Sequence, residues 1–206
     1  MADRAPIRLI ISDFGGVICT FDYRIFCARL ARRIGRSAEA IYAAVYGSEL
    51  QAAFERGRLT GPAYHSRVMR LVGADVPYAE FCPMYGDIFT EIPATGALLR
   101  RLRARYPLYL LSDTNEIHFG YVTQTVEVLR VFAECIVSYE VGALKPDPAM
   151  YREALRRAAL PAAACVFIDD RPGNVEGARR VGMHALHFTS AAQCAADLSR
   201  LGVVIP

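Results

Sequence analysis

Acidic, hydroxyl and cationic side chains follow short apolar segments of this chain, in an order suited to phosphoryl transfer. The segment IRLII runs into Asp13, and the segment LYLL runs into Ser112. The segment VFI runs into Asp169 and Asp170, and Lys145 lies in the loop GALKPD before it. A nucleophilic carboxylate, a hydroxyl, a fixed cation and an acidic pair are the groups that move a phosphoryl group through an aspartyl-phosphate, with magnesium neutralising charge.

The apolar segments that carry these groups are typical of buried strands. Ile7 to Ser12 is a short continuous apolar run, as expected of a strand covered on both faces. From residue 97 onward, segments with helical periodicity alternate with such runs. This alternation predicts an α/β fold with a doubly wound parallel sheet. Because parallel strands end at one edge of the sheet, we expect the polar groups to meet there in one cleft.

The region after the first strand has a different pattern. Apolar residues recur there at helical spacing, and Thr60 before Gly61-Pro62 is typical of a helix N-cap. We therefore predict a helical cap domain over residues 21–91, inserted into a core domain formed by residues 1–20 and 92–206.

Three motifs and Lys145 resemble the haloacid dehalogenase-like (HAD) hydrolase superfamily. The motifs are DFGGV at 13–17, SDTN at 112–115 and DDRPGN at 169–174. Within the superfamily they are similar to the group typified by alpha-glucose-1-phosphate phosphatase. The resemblance implies a HAD-like Rossmannoid core and a magnesium-dependent phosphatase, with Asp13, Ser112 and Lys145 as the catalytic residues.

The phosphate is expected to bind at the turns that follow the first two strands. Gly15-Gly16 allows the backbone to bend closely around an anion. Ser112 either donates a hydrogen bond to a phosphoryl oxygen or caps the next helix, and the two roles are compatible. Asn115 either contacts the substrate or closes the turn. The substrate contacts that we expect are from Gly16, Ser112, Asp113, Asn115 and Lys145.

The acidic pair predicts a magnesium site. Two adjacent carboxylates at a strand end repel each other unless a cation joins them. Magnesium prefers oxygen ligands in octahedral geometry. The predicted ligands are the carboxylate of Asp13, the main-chain carbonyl of Gly15, and one or both of Asp169 and Asp170. The family pattern favours Asp170 as the direct ligand.

Gly15 departs from the pattern of most phosphatases of the superfamily. They carry a general acid–base aspartate at this position, which is worth roughly 10²–10⁴-fold in rate. Three explanations are open: water or a cap residue such as His65 or Glu55 supplies the proton, the leaving group needs little protonation, or catalysis is lost. The similar sugar-phosphatase group also has glycine here and is regarded as active, which favours the first two.

The leading hypothesis is a magnesium-dependent phosphatase for a small phosphorylated metabolite, in particular a sugar phosphate. One alternative is a haloacid dehalogenase that forms a carbon ester on Asp13 without a metal. Another is a catalytically idle binding or regulatory protein. Arg56, Arg58 and Tyr64 are candidates for contacting the rest of the substrate, and His118 is a further candidate.

Composition narrows the cellular context. The 206 residues carry a formal net charge of +3, which is too small to indicate a nucleic-acid surface. The six cysteines show no CxxC spacing and are expected to be free thiols. The N-terminal apolar run is too short for a signal peptide, and no apolar segment approaches the roughly 20 residues of a membrane span. We expect a cytoplasmic protein without nucleic-acid or membrane partners, as a monomer or homodimer.

Overall fold

Strands and helices alternate along the chain, which a computed structural model describes over residues 6–206. The strands are β1 Leu9–Ser12, β2 Cys19–Phe21, β3 Phe89–Glu91, β4 Leu108–Ser112, β5 Glu134–Val137, β6 Cys165–Asp169 and β7 His184–His187. The helices are α1 Tyr23–Ile34, α2 Ala38–Tyr46, α3 Leu50–Glu55, α4 Gly61–Val72, α5 Tyr78–Gly86, α6 Pro93–Arg103, α7 Glu116–Thr125, α8 Ser138–Val141, α9 Pro148–Ala158, α10 Pro172–Arg180 and α11 Ala191–Arg200. Short 3₁₀ turns occupy Glu127–Val131 and Ala162–Ala164.

Five strands form a parallel sheet in the order β5-β4-β1-β6-β7. The central strand β1 pairs with both β4 and β6, so that Ser12 lies opposite Leu110 on one side and Ile168 on the other. The strands that precede Asp13, Asp113 and Asp170 are therefore neighbours that end at the same edge. The prediction of a parallel α/β sheet with the chemical groups along one edge is confirmed.

Helices cover both faces of this sheet, as the prediction of a doubly wound arrangement requires. Alternate side chains of a strand point to opposite faces. Ile10 accordingly packs in a cluster with Leu98 of α6 and Leu198 of α11. Its neighbour Ile11 packs in another cluster with Tyr151 of α9, on the other face. The two clusters pack the helices against both faces of the sheet, whose strands end in the loops at the carboxyl edge.

A helical segment, α1 to α5, lies between β2 and β3 and has a hydrophobic cluster of its own. Aromatic side chains dominate that cluster, among them Phe26, Phe54 and Phe81, which have no more than 1% of their surface exposed. The side chain of Thr60 accepts a hydrogen bond from the Ala63 N–H, which confirms the predicted N-cap of α4. The division of the chain into a cap domain and a core domain stays a prediction.

Two short strands join the helical segment to the rest of the chain. In this antiparallel pair, Cys19 lies opposite Glu91 and Phe21 lies opposite Phe89. The two segments that connect the sheet to the helical segment therefore run side by side. Phe21, at the end of β2, lies near the sheet edge that holds Asp13.

The expectations about cysteines and about membrane-spanning segments can be compared with the described residues. All six cysteines are free thiols. Between residues 6 and 206, no helix has both the length and the apolar character needed to cross a bilayer.

The central position of β1 predicts a large effect of truncating its side chains. Ile10→Ala removes a fully buried side chain and should lower the free energy of unfolding by about 2–5 kcal/mol. Leu71→Ala, at a position that is 52% exposed, should change it by less than about 0.5 kcal/mol. Urea unfolding of the two variants and the wild type measures both values, and equal effects would contradict the assignment of β1 to the centre of the core.

Candidate active site

Most of the polar groups predicted to act together line one cavity at the carboxyl edge of the sheet. Its volume is about 610 Å³, and Asp13, Asp113, Lys145 and Asp170 are among the residues that line it. The helical segment covers the opposite side of this cavity with residues that include Glu55, Arg56 and Arg58. Because strands and helical segment both contribute, the site is enclosed by polar groups from both sides.

Lys145 forms the centre of a buried ion cluster. Its Nζ lies 2.7 Å from Oδ1 of Asp13 and 2.9 Å from Oδ2 of Asp169. It also donates to the carbonyl oxygen of Leu111, at 3.0 Å. The three partners use all three N–H donors of the ammonium. The lysine therefore bridges β1 and β6 and is also anchored to β4, on the other side of β1.

The charged groups of this cluster shift one another's pKa values. Burial alone would lower the pKa of Lys145, but the carboxylates of Asp13 and Asp169 outweigh burial and raise that pKa above its ordinary value. Burial, opposed by the charge of Lys145, raises the pKa of Asp13 above its ordinary value. The lysine alone therefore does not offset the burial of Asp13, whereas a second cation beside it would favour the ionised, nucleophilic form.

The loop that carries Lys145 is fixed at both of its ends. Oδ1 of Asp113 accepts a hydrogen bond from the Lys145 N–H at 2.9 Å. On the far side of the lysine, the side chain of Asp147 caps α9 by accepting from the Ala149 N–H. Asp113, which was predicted to contact the substrate, lines the cavity and also positions the lysine.

Three carboxylates could hold a metal ion together. Oxygen atoms of Asp13, Asp169 and Asp170 lie within 4.8 Å of one another. Asp169 already accepts hydrogen bonds from Lys145, from the Arg171 N–H and from the side-chain amide of Asn174. These partners hold Asp169 in place as the support of the cluster.

Asp170 differs from Asp169 in having an unused acceptor. Its Oδ1 is buried, and no donor among residues 6–206 lies within hydrogen-bond distance of it. A buried carboxylate oxygen without a partner is costly, and a hard divalent cation beside it would remove that cost. The donor set therefore fits magnesium, with Asp170 as the carboxylate that has a free position.

Gly16 makes the approach of Asp170 possible. It has a φ of +76°, and a Cβ atom there would lie 2.2 Å from Oδ2 of Asp170. Its N–H donates to the carbonyl oxygen of Cys19 at 2.8 Å. In this arrangement the N–H of Gly16 is therefore not free to donate to the substrate, although the sequence had led us to expect that contact.

The space beside Gly15 is filled by an aromatic ring. A Cβ atom at this position would lie 2.8 Å from Cε1 of Phe21. Phe21 is 45% exposed and lines the same cavity. The chain thus lacks a carboxylate at position 15 and has an apolar group where that side chain would lie.

The residues of the SDTN motif separate in the structure. Ser112 is buried beside a smaller cavity of about 40 Å³, which Gly15 also lines. Asn115 has no exposed surface; its oxygen accepts from the His118 N–H at 3.0 Å and caps α7, and its amide donates to Oη of Tyr85. The expected substrate contact of Asn115 is corrected accordingly, because this side chain closes the turn and binds the helical segment.

The histidines considered from the sequence have structural partners. Burial lowers the pKa of His118 to about 3, and its Nε2 lies 3.1 Å from the carbonyl oxygen of Tyr85. Nε2 of His65 lies 2.7 Å from the carbonyl oxygen of Val76, and His65 is absent from the residues that line the cavity. Neither side chain is placed to exchange a proton with a bound substrate.

Some of the residues of the helical segment that were predicted to contact the substrate line the cavity and one does not. Other residues that line it were not predicted. Arg56 and Arg58 line the cavity as expected, whereas Tyr64 is fully buried inside the helical segment. Tyr23 and Arg171 also line the cavity. Arg171 follows the acidic pair directly and was detectable from that position, but nothing in the sequence near Tyr23 indicates its role.

Comparison with known proteins gives a family match over most of the chain. The family described as haloacid dehalogenase-like hydrolase matches residues 7–182. Over 72 residues the chain is 43% identical to flavin mononucleotide hydrolase 1 of Arabidopsis thaliana, which is 35% of this chain and 28% of that longer protein. This chain therefore spans only a part of that relative.

Other similar proteins match along nearly their whole length. Sesquiterpene phosphatase astK of Aspergillus oryzae is 26% identical, over 94% of this chain and 96% of its own. D-ribitol-5-phosphate phosphatase of Bacteroides thetaiotaomicron is 21% identical, over 94% of this chain and 97% of its own. A HAD family enzyme of the same bacterium, solved with magnesium and inorganic phosphate, has a TM-score of 0.77 at 22% identity and covers 89% of this chain and 94% of that one.

The ion cluster predicts that removing Lys145 destabilises the protein. Lys145→Met leaves two buried carboxylates without their counterion and should lower the free energy of unfolding by about 3–5 kcal/mol. Adding Asp13→Asn removes one of these carboxylates, so the double variant should be more stable than Lys145→Met alone. Chemical unfolding at neutral pH measures this, with exposed Arg103→Met as the matched control; a Lys145→Met variant as stable as that control would contradict the cluster.

Proposed function

The chain belongs to the haloacid dehalogenase-like hydrolase family, and on that premise we propose that it is a magnesium-dependent phosphatase for a small, polar phosphate monoester. A hydrolase of the phosphatase type agrees with relatives that align with this chain almost end to end. The observation that carries the proposal is the shared ammonium of Lys145, which holds Asp13 beside Asp169 while Asp170 keeps a free oxygen.

Asp13 is the proposed nucleophile. One carboxylate oxygen forms a bond to phosphorus, and the substrate's alcohol leaves with a proton supplied to its oxygen. Water then forms a new bond to phosphorus, the bond to Asp13 breaks, and inorganic phosphate is released. Throughout, Lys145 and the hydroxyl of Ser112 stabilise the negative charge of the phosphoryl oxygens.

Asp13 and Asp170 are the side chains that would hold magnesium, together with the carbonyl oxygen of Gly15. When bound, the ion neutralises charge on the phosphoryl group and on the three carboxylates. Asp169 acts in this arrangement through Lys145, because its own oxygens are already hydrogen bonded.

The lining of the cavity favours a polar substrate, such as a sugar or sugar-alcohol phosphate. Beyond the carboxylates at its base, the cavity is bordered by Arg56, Arg58, Asp113, Asp147 and Arg171. Hydroxyl groups can satisfy these side chains, whereas an apolar chain would bury them without partners. Of the substrates in the relatives' names, ribitol phosphate therefore suits this cavity better than a sesquiterpene phosphate does.

The free oxygen of Asp170 also favours a phosphatase over a dehalogenase. Ester formation on the carbon of a haloacid needs no metal and gives an unpartnered carboxylate beside Asp13 no role. The same oxygen argues against an idle protein, because an unsatisfied buried acceptor lowers stability without a function. A cytoplasmic location and a monomeric or dimeric state remain our predictions.

Phosphate release tests this function. With magnesium, the protein should hydrolyse sugar and sugar-alcohol phosphates faster than an isoprenoid phosphate. Chelation of the metal, or Asp13→Asn, should abolish turnover, whereas Asp75→Asn at an exposed position should leave it unchanged. Turnover that persists in Asp13→Asn or with chelator would contradict the mechanism, and a preference for the isoprenoid phosphate would contradict the substrate class.

A further inference from the structure

Glu55 is a carboxylate of the helical segment that faces the reacting groups. It ends α3 and lines the large cavity together with Asp13. It also lines the smaller cavity, which it shares with Gly15 and Ser112. Glu55 therefore borders the place where a general acid–base at position 15 would act, and it reaches that place from the opposite side.

A hydrogen-bond network orients the Glu55 carboxylate. Gln51, one turn earlier on α3, donates from its amide to Oε1 of Glu55 at 2.7 Å. The amide oxygen of Gln51 accepts from the hydroxyls of Tyr64 and Tyr85, at 2.9 and 2.8 Å. Because both tyrosines are fully buried, this network fixes the amide, and the amide in turn fixes one oxygen of the carboxylate.

The backbone at Glu55 is bound to the sheet side of the cavity. The hydroxyl of Ser138, which follows β5, donates to the carbonyl oxygen of Glu55 at 2.7 Å. The same hydroxyl accepts from the Thr114 N–H at 2.9 Å, two residues after Ser112. One serine thus joins α3 to the turn that carries the phosphate-binding hydroxyl.

A glycine next to this contact allows the close approach. Gly57 has a φ of +67°, and a Cβ atom there would lie 2.1 Å from the carbonyl oxygen of Tyr139. Residues 55–57 therefore pack directly on residues 138–139. The contacts at Ser138 and at Gly57 together fix the position of Glu55 relative to the side of the cavity where Asp13 lies.

The surroundings of Glu55 suit a group that both gives and takes a proton. Burial raises its pKa to about 7, the hydrogen bond from Gln51 opposes this, the charge of Asp113 adds to it, and Arg56 and Arg171 lower it. The groups that face it besides these are the hydroxyls of Tyr23, Tyr46, Tyr64 and Tyr85. Efficient acid–base catalysis needs both forms near the working pH.

We propose that Glu55 is the general acid and base of this enzyme, in place of the side chain that Gly15 lacks. The protonated carboxyl gives its proton to the oxygen of the leaving alcohol as the bond between phosphorus and that oxygen breaks. The resulting carboxylate takes a proton from the water that attacks the aspartyl-phosphate, which restores the starting state. The inference rests on the proposed phosphatase function.

Glu55→Gln tests this role through its dependence on the leaving group. A sugar alcohol is a poor leaving group that needs the proton, whereas an acidic phenol is a good one that does not. The variant should lose roughly 10²-fold or more in kcat/KM on a primary sugar phosphate and less than about 10-fold on an aryl phosphate. The matched control is Glu49→Gln, at an exposed position six residues earlier, which should leave both rates unchanged.

The pH dependence gives a second readout. The first step needs protonated Glu55, so kcat/KM on the sugar phosphate should fall as pH rises through about 7 in the wild type. This fall should be absent in Glu55→Gln. The aryl phosphate controls for titration of the phosphate group itself, and it should not show the Glu55-dependent fall in either protein.

The possible failures are distinguishable. An equal loss on both substrates, in a variant whose thermal unfolding matches the wild type, would overturn the proposal and make Glu55 a binding or structural residue. No loss on the sugar phosphate, or an unchanged pH profile, would overturn it as well. A wild-type protein that releases phosphate from neither substrate would instead overturn the proposed phosphatase function.

Discussion

The site depends on one buried interaction, the ammonium of Lys145 between the carboxylates of Asp13 and Asp169. These two carboxylates lie at the ends of adjacent strands, β1 and β6, and would repel each other without a cation between them. The chain uses its only lysine here. A compact ammonium suits the position because its three donors can rotate toward acceptors that do not share a plane, whereas the donors of a guanidinium are fixed in one plane. In the proposed phosphatase, this fixed charge would also preorganise the site for a phosphoryl group.

The balance of charge explains why the cluster is still incomplete. One ammonium faces three carboxylates, and the third, Asp170, has a buried oxygen without a donor. A divalent cation and an incoming phosphate would complete the cluster together, since one adds positive charge and the other negative. Asp169 and Asp170 are adjacent in the sequence but differ in their contacts: Asp169 is hydrogen bonded to the lysine, whereas Asp170 has an unpartnered oxygen where the proposed metal would bind.

Much of this arrangement was predictable because it depends on local sequence and on sheet topology. The apolar runs before Asp13 and Ser112 indicate strands, and parallel strands bring their ends to one edge. The rest depends on contacts between distant segments. Strands β2 and β3 have three residues each and pair across the whole helical segment, so no local pattern shows that Phe21 fills the space beside Gly15. Asn115 is the last residue of the SDTN motif, where a substrate contact was expected, yet its burial against Tyr85 depends on how the helical segment packs.

The account is tested most directly by a crystal structure with magnesium and beryllium fluoride, an analogue of the transferred phosphoryl group. It predicts a bond between beryllium and a carboxylate oxygen of Asp13, with the hydroxyl of Ser112 in contact with a fluorine atom and the positive charge of Lys145 nearby. It also predicts magnesium on Asp13, the Gly15 carbonyl and Asp170, with Asp169 still held by the lysine. Beryllium fluoride bound away from Asp13, or a metal on Asp169 that displaces Lys145, would contradict the central role of this ion cluster.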